Sequence, residues 1–106
     1  MDSKPPILRE LKRSLESFLG DQLVNMVLFG SRAIGDYNDE SDMDVAVIVR
    51  GLTRKLKGRI LDEVAELELE QHMPLSVVVF SEEEFDRLKK RERRIALDIE
   101  REGIPL

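Results

Sequence analysis

Apolar residues recur at helical spacing at the start of the chain. Ile7, Leu8, Leu11, Leu15, Phe18 and Leu19 mark one face of a first helix, and Gly20 ends it. The pattern then changes. Val24 to Phe29 reads as a short buried strand, and Met43 to Val49 as a second, closed by Arg50-Gly51. Between them, Gly30 to Ser41 is rich in Gly, Asp, Asn and Ser and reads as mostly loop. Helical spacing returns at Leu52, Leu56, Ile60, Val64 and Leu67, and Pro74 breaks the chain. Leu75 to Phe80, rich in Val, predicts a third strand. Ser81 followed by Glu84 is a capping-box pair opening a last helix through Phe85, Leu88, Ile95 and Ile99, which Gly103 and Pro105 stop. The predicted order is α-β-β-α-β-α. It implies an α/β (α+β) sandwich over residues 1–106, one domain, with a small three-stranded core sheet flanked by helices.

Composition narrows the function classes. The net charge of −5 argues against a protein that tracks nucleic acid, although Arg87, Lys89, Lys90, Arg91, Arg93 and Arg94 crowd the last helix. Those cations read as a solvated face, with contact to RNA or an acidic partner as the functional alternative. There are no cysteines, so disulfides and cysteine-held metals are excluded. The longest apolar run, Val45 to Val49, is far too short to cross a membrane, and the first residues lack a signal-peptide pattern. The expectation is a cytoplasmic protein. His72 lacks companions for a zinc site, Tyr37 covers a loop or stacks on a base, and Met26 and Met43 read as core.

The candidate chemistry lies where the first two strands meet their connecting loop. Phe29-Gly30-Ser31 follows the first strand, and Asp42-Met43-Asp44 opens the second. Alternate strand residues share a face, so Asp42 and Asp44 point one way and Met43 points into the core. Two carboxylates so held suit a hard cation such as Mg2+ that also binds substrate phosphates. Gly30 would let a triphosphate approach the backbone, Ser31 would offer a hydroxyl and an N–H, and Arg32 a charged donor. Separately, a Gly-Ser pair is a turn and an Asp-x-Asp a solvated cap. Together they place mutually repelling carboxylates where a metal would compensate them.

Gly30-Ser31-Arg32-Ala33-Ile34-Gly35-Asp36 followed by Ser41-Asp42-Met43-Asp44-Val45 resembles the signature of the DNA polymerase β-like nucleotidyltransferase superfamily. The short chain looks like its minimal nucleotidyltransferase branch. The resemblance implies a mixed sheet with flanking helices and transfer of a nucleoside monophosphate from ATP or another NTP. Gly30 and Ser31 would hold the triphosphate, and Asp42 and Asp44 two Mg2+ ions. It also implies a hydroxyl acceptor, for which a tyrosine of an all-helical HEPN-type partner is a candidate, as in antitoxin modules. Association, with such a partner or as a homo-oligomer, is expected.

The chain departs from that family at one point. Active members carry a third carboxylate on the next core strand, and here Ser76 stands about where it is expected. Glu68 and Glu70 precede that strand and are the substitutes at hand. The departure keeps a second reading open: a catalytically weak nucleotide-binding module that regulates by docking to a partner.

Overall fold

The computed structural model describes residues 6–29 and 43–106. Helix α1 (Pro6–Leu19) buries Ile7, Leu8, Leu11, Leu15 and Leu19, the stripe that its spacing predicts. It stops at Gly20, whose φ of +54° is left-handed, and a 3-10 turn over Gly20–Gln22 leads into strand β1 (Leu23–Phe29). Strand β2 spans Met43–Val49, helix α2 Arg54–Gln71 and strand β3 Leu75–Ser81. The side chain of Thr53 caps α2 through the Leu56 N–H, and that of Ser81 caps helix α3 (Glu82–Lys90) through the Glu84 N–H at 3.0 Å.

The fold class is the expected one, with two features that the spacing does not announce. The region after Ser81 is two helices, α3 and α4 (Arg94–Glu102), not one continuous helix. The chain turns at Glu92, whose φ is +53°. The Arg93 N–H reaches back to the Leu88 carbonyl and the Glu92 N–H to the Lys89 carbonyl, a Schellman closure made without glycine. Beyond α4, Ile104–Pro105 form strand β4, so the sheet has four strands in the order β3-β2-β1-β4. Pro105 therefore lies in an edge strand, where a missing N–H is tolerated.

β2 runs antiparallel to β1 and parallel to β3, with α2 as the crossover between the parallel pair. α1 and α2 cover one face of the sheet, packing on Met43, Val45, Val47 and Val49. α3 and α4 cover the other, where Phe85, Ala96 and Ile99 pack against Val27, Ala46, Ile48 and Phe80. A strand covered on both faces reads as an unbroken apolar run, which is why β2 is legible as MDVAVIV.

α4 approaches the sheet closely at its end. A Cβ on Gly103 would lie 2.2 Å from both the Ile99 carbonyl oxygen and Val27 Cγ1. Only glycine fits between the last turn of α4 and β1. Among the described residues no helix is long and apolar enough to cross a membrane.

Candidate functional site

Every residue of β2 is buried except Asp44, which is half-buried. A carboxylate in an otherwise apolar central strand needs water, a cation or a donor beside it. Register supplies its surroundings. Asp44 pairs with Phe29 of β1 on one side and with Ser76 of β3 on the other. Register partners share a face, so Phe29, Asp44 and Ser76 form one row across three strands. The next row along the same face is Val27, Ala46 and Val78, which belongs to the core under α3 and α4. Asp44 thus stands at the margin where that core ends.

Met43 turns the other way. It is 1% exposed, packed under α1 and α2, and in register with Leu75. The expected division of labour at the start of β2, one residue anchoring and the next presenting a carboxylate, holds for Met43 and Asp44. Gly30, Ser31, Arg32 and Asp42 lie outside the described residues, as does Tyr37. The two ends of their connection are fixed by β1 and β2: Phe29, the last described residue of β1, is in register with Asp44, the second residue of β2.

Ser76 is half-buried and in line with Asp44, so the third strand brings a hydroxyl to the row where the resemblance leads one to expect a carboxylate. Glu68 does other work. Its Oε2 accepts the Leu75 N–H at 3.3 Å, tying α2 to the start of β3 on the face that Met43 occupies. Glu70 is exposed on α2. Neither carboxylate joins the Asp44 row. His72 closes α2 in a left-handed conformation with φ of 52°. Of the cations after Phe85, Lys89 is paired with Asp86 and Glu100 at 3.6 Å, and Arg94 lies 4.0 Å from Asp98. Phe29 is the residue that sequence reasoning passed over. Its place at the end of an apolar run gave it a core role, and only the register reveals it as Asp44's neighbour.

Residues 8–100 match the nucleotidyltransferase domain family. The chain is 35% identical over 75 residues to the protein named "Putative protein adenylyltransferase" of Methanocaldococcus jannaschii, covering 70% of this chain and 76% of the relative. Among solved structures, the fold is similar to that of a "putative nucleotidyltransferase" from Sulfolobus solfataricus, with a TM-score of 0.61, 94% of this chain and 76% of that chain covered, and 21% identity. A family match over most of the chain and a shared fold converge on one assignment: the chain belongs to the nucleotidyltransferase domain family.

Proposed function

We propose that this protein transfers a nucleoside monophosphate from an NTP, with ATP as the expected donor, to a hydroxyl group of a protein. The observation that carries the reading is Asp44, the half-buried carboxylate of an otherwise buried central strand, set beside the connection that bears Gly30, Ser31, Arg32 and Asp42. The name of the Methanocaldococcus jannaschii relative supports a protein as acceptor. A tyrosine of a helical HEPN-type partner is the acceptor that the minimal-branch resemblance suggests.

Asp44 fits a divalent cation. It is an oxygen donor, it is not fully enclosed, and its immediate row holds no competing cation, only Phe29 and Ser76. Among the described residues no three His, Asp or Glu side chains cluster as a metal site. In this reading the ligands are Asp44, Asp42 and the substrate's own phosphates, and Gly30, Ser31 and Arg32 hold the triphosphate. Bound Mg2+ would neutralise phosphate charge and favour deprotonation of the attacking hydroxyl. In the transfer, the acceptor oxygen bonds to the α-phosphorus, the bond from that phosphorus to the pyrophosphate oxygen breaks, and the acceptor proton passes to solvent. Ser76 can hydrogen-bond an acceptor oxygen but is no base at neutral pH.

Calorimetric titration of ATP with and without Mg2+ tests the site. Asp44→Asn keeps the shape of a half-buried residue and removes its charge. The variant should retain its melting transition and lose most of the Mg2+-dependent part of binding, on the order of tenfold or more. Equal Mg2+-dependent binding by the variant would refute the role given to Asp44. The second reading, a nucleotide-binding module that regulates by docking, is favoured by one observation: the hydroxyl of Ser76 in the row.

A further inference from the structure

The outward face of α2 carries an apolar stripe. Leu69 is 76% exposed, the most open large apolar side chain described, and Leu61 is 41% exposed. Ala65 is exposed between them, and Gly58 continues the stripe one turn earlier. A Cβ on Gly58 would meet nothing within 4 Å. A glycine inside a helix is unfavourable, and among the described residues no close approach requires it. Leucines at this spacing normally face a core, but the buried stripe of α2 is Ile60, Val64 and Leu67, on the other side.

Charge along α2 is sorted by sign. From Arg54 to Leu61 the helix holds Arg54, Lys55, Lys57 and Arg59 and no anion, and from Asp62 to Gln71 it holds Asp62, Glu63, Glu66, Glu68 and Glu70 and no cation. That order opposes the helix dipole, which favours anions at the N-terminus and cations at the C-terminus. No acid stands in the first turn and no base in the last. Within the chain Glu63 accepts from Ser14, Glu68 accepts from the Leu75 N–H and Arg59 lies over the Phe18 ring, but the order of signs along the helix gains nothing from its own dipole. It gains from a neighbour whose charges run the other way, and the same helix turned end for end is such a neighbour.

We propose that α2 pairs antiparallel with α2 of a second copy of this chain. The pairing is isologous. A two-fold axis passing between Asp62 and Glu63 sets Lys55 level with Glu70 of the second copy and Arg59, whose guanidinium lies 4.1 Å over the Phe18 ring of its own copy, level with Glu66 of the second copy; Lys55 and Glu70 are the principal charge pair. All four lie along one edge of the stripe, and in an antiparallel pair like edges adjoin. Leu69 leans toward its own N-terminus and falls within one turn of the second copy's Gly58, whose bare backbone makes room. The two dipoles oppose, which is favourable. Asp62 lies close to its symmetry mate and works against the pair. One helix pair buries less than the roughly 1,200 Å² of a standard interface, so association is of micromolar strength or weaker. The surface lies on the opposite side of the sheet from Asp44, so this inference does not rest on the nucleotidyl-transfer reading.

Sedimentation of the full chain from micromolar to several hundred micromolar tests it. The mass should rise toward twice the chain's 12.2 kDa as concentration increases, and 1 M salt should weaken the rise. Leu69→Lys should hold the chain as a monomer with its fold intact by circular dichroism. Lys55→Glu and Glu70→Lys, each alone, should weaken self-association at least several-fold, yet leave thermal stability unchanged or raised, because each now suits the helix dipole. Mixing those two variants in equal amounts should restore association. In the mixed pair the introduced glutamate of one copy meets the introduced lysine of the other, and the unaltered Glu70 of the first meets the unaltered Lys55 of the second. Asp62→Asn should tighten the dimer. A monomer at every concentration, or a dimer indifferent to Leu69→Lys and to the charge exchange, would overturn the proposal.

Discussion

Ser76 has Asp44 as its register neighbour across the parallel β2–β3 pair, and both are half-buried on one face. A carboxylate at Ser76 would therefore stand beside a carboxylate, not point into a helix. In the absence of metal, Ser76→Asp should lower stability by about 0.5–1 kcal/mol, the scale of like charges paired across strands. Mg2+ should reverse that loss, and transfer of labelled nucleotide to the acceptor should accelerate. Melting curves in EDTA and in Mg2+, with the labelling assay alongside, measure both. Absence of any Mg2+ rescue would show that the Asp44 row does not hold the cation. Of this site the sequence carried the placement of Met43 and Asp44 on opposite faces, because strand alternation assigns it without knowledge of the fold; Gly30, Ser31, Arg32 and Asp42 lie outside the described residues. The sequence did not carry the Phe29 neighbour or the commitment of Glu68 to the Leu75 N–H. Both depend on which strands pair and on where α2 ends.

Elements were legible in proportion to how local their causes are. α1 and β2 follow from side-chain spacing and an unbroken apolar run, and Ser81 caps α3 as its spacing to Glu84 requires. The break between α3 and α4 was hidden for a physical reason. Phe85, Leu88, Ile95 and Ile99 keep helical spacing across it, and the left-handed residue is Glu92, where glycine would have been the signal. β4 was hidden because Ile104 and Pro105 are too few to show alternation, and their pairing with Leu28 and Val27 is purely tertiary. The junction between α4 and β4 is testable at Gly103. Its φ of −70° suits any residue, so the constraint is space alone. Gly103→Ala should destabilise the protein by about 1–3 kcal/mol through overpacking against Val27 and the Ile99 carbonyl. Urea denaturation gives the value, and an unchanged midpoint would mean that α4 can shift away without penalty.

At the scale of the molecule, the sheet separates two surfaces. Asp44 opens on the α3–α4 face, and the apolar stripe of α2 faces outward from the opposite layer. The core sits on both sides of β2, which alone among the described strands has a full-length strand on each flank. β4 reaches only Val27 and Leu28 of β1, with one further bond from the Leu106 N–H to the Met26 carbonyl. This asymmetry has a spectroscopic consequence. The amides of Val45 to Val47 should exchange hydrogen with solvent only when the whole chain opens, while that of Val24, beyond the reach of β4 and without a register partner where the register shifts between Leu23 and Asn25, exchanges by local fraying. Exchange in mid-β2 then reports global stability from a strand that itself bears Asp44. Any ligand that binds only the folded chain slows it by the factor 1 + [L]/Kd. Nuclear magnetic resonance of those amides would thus measure nucleotide affinity in a protein whose acceptor has not been supplied, with the frayed end of β1 as the internal control that should stay fast.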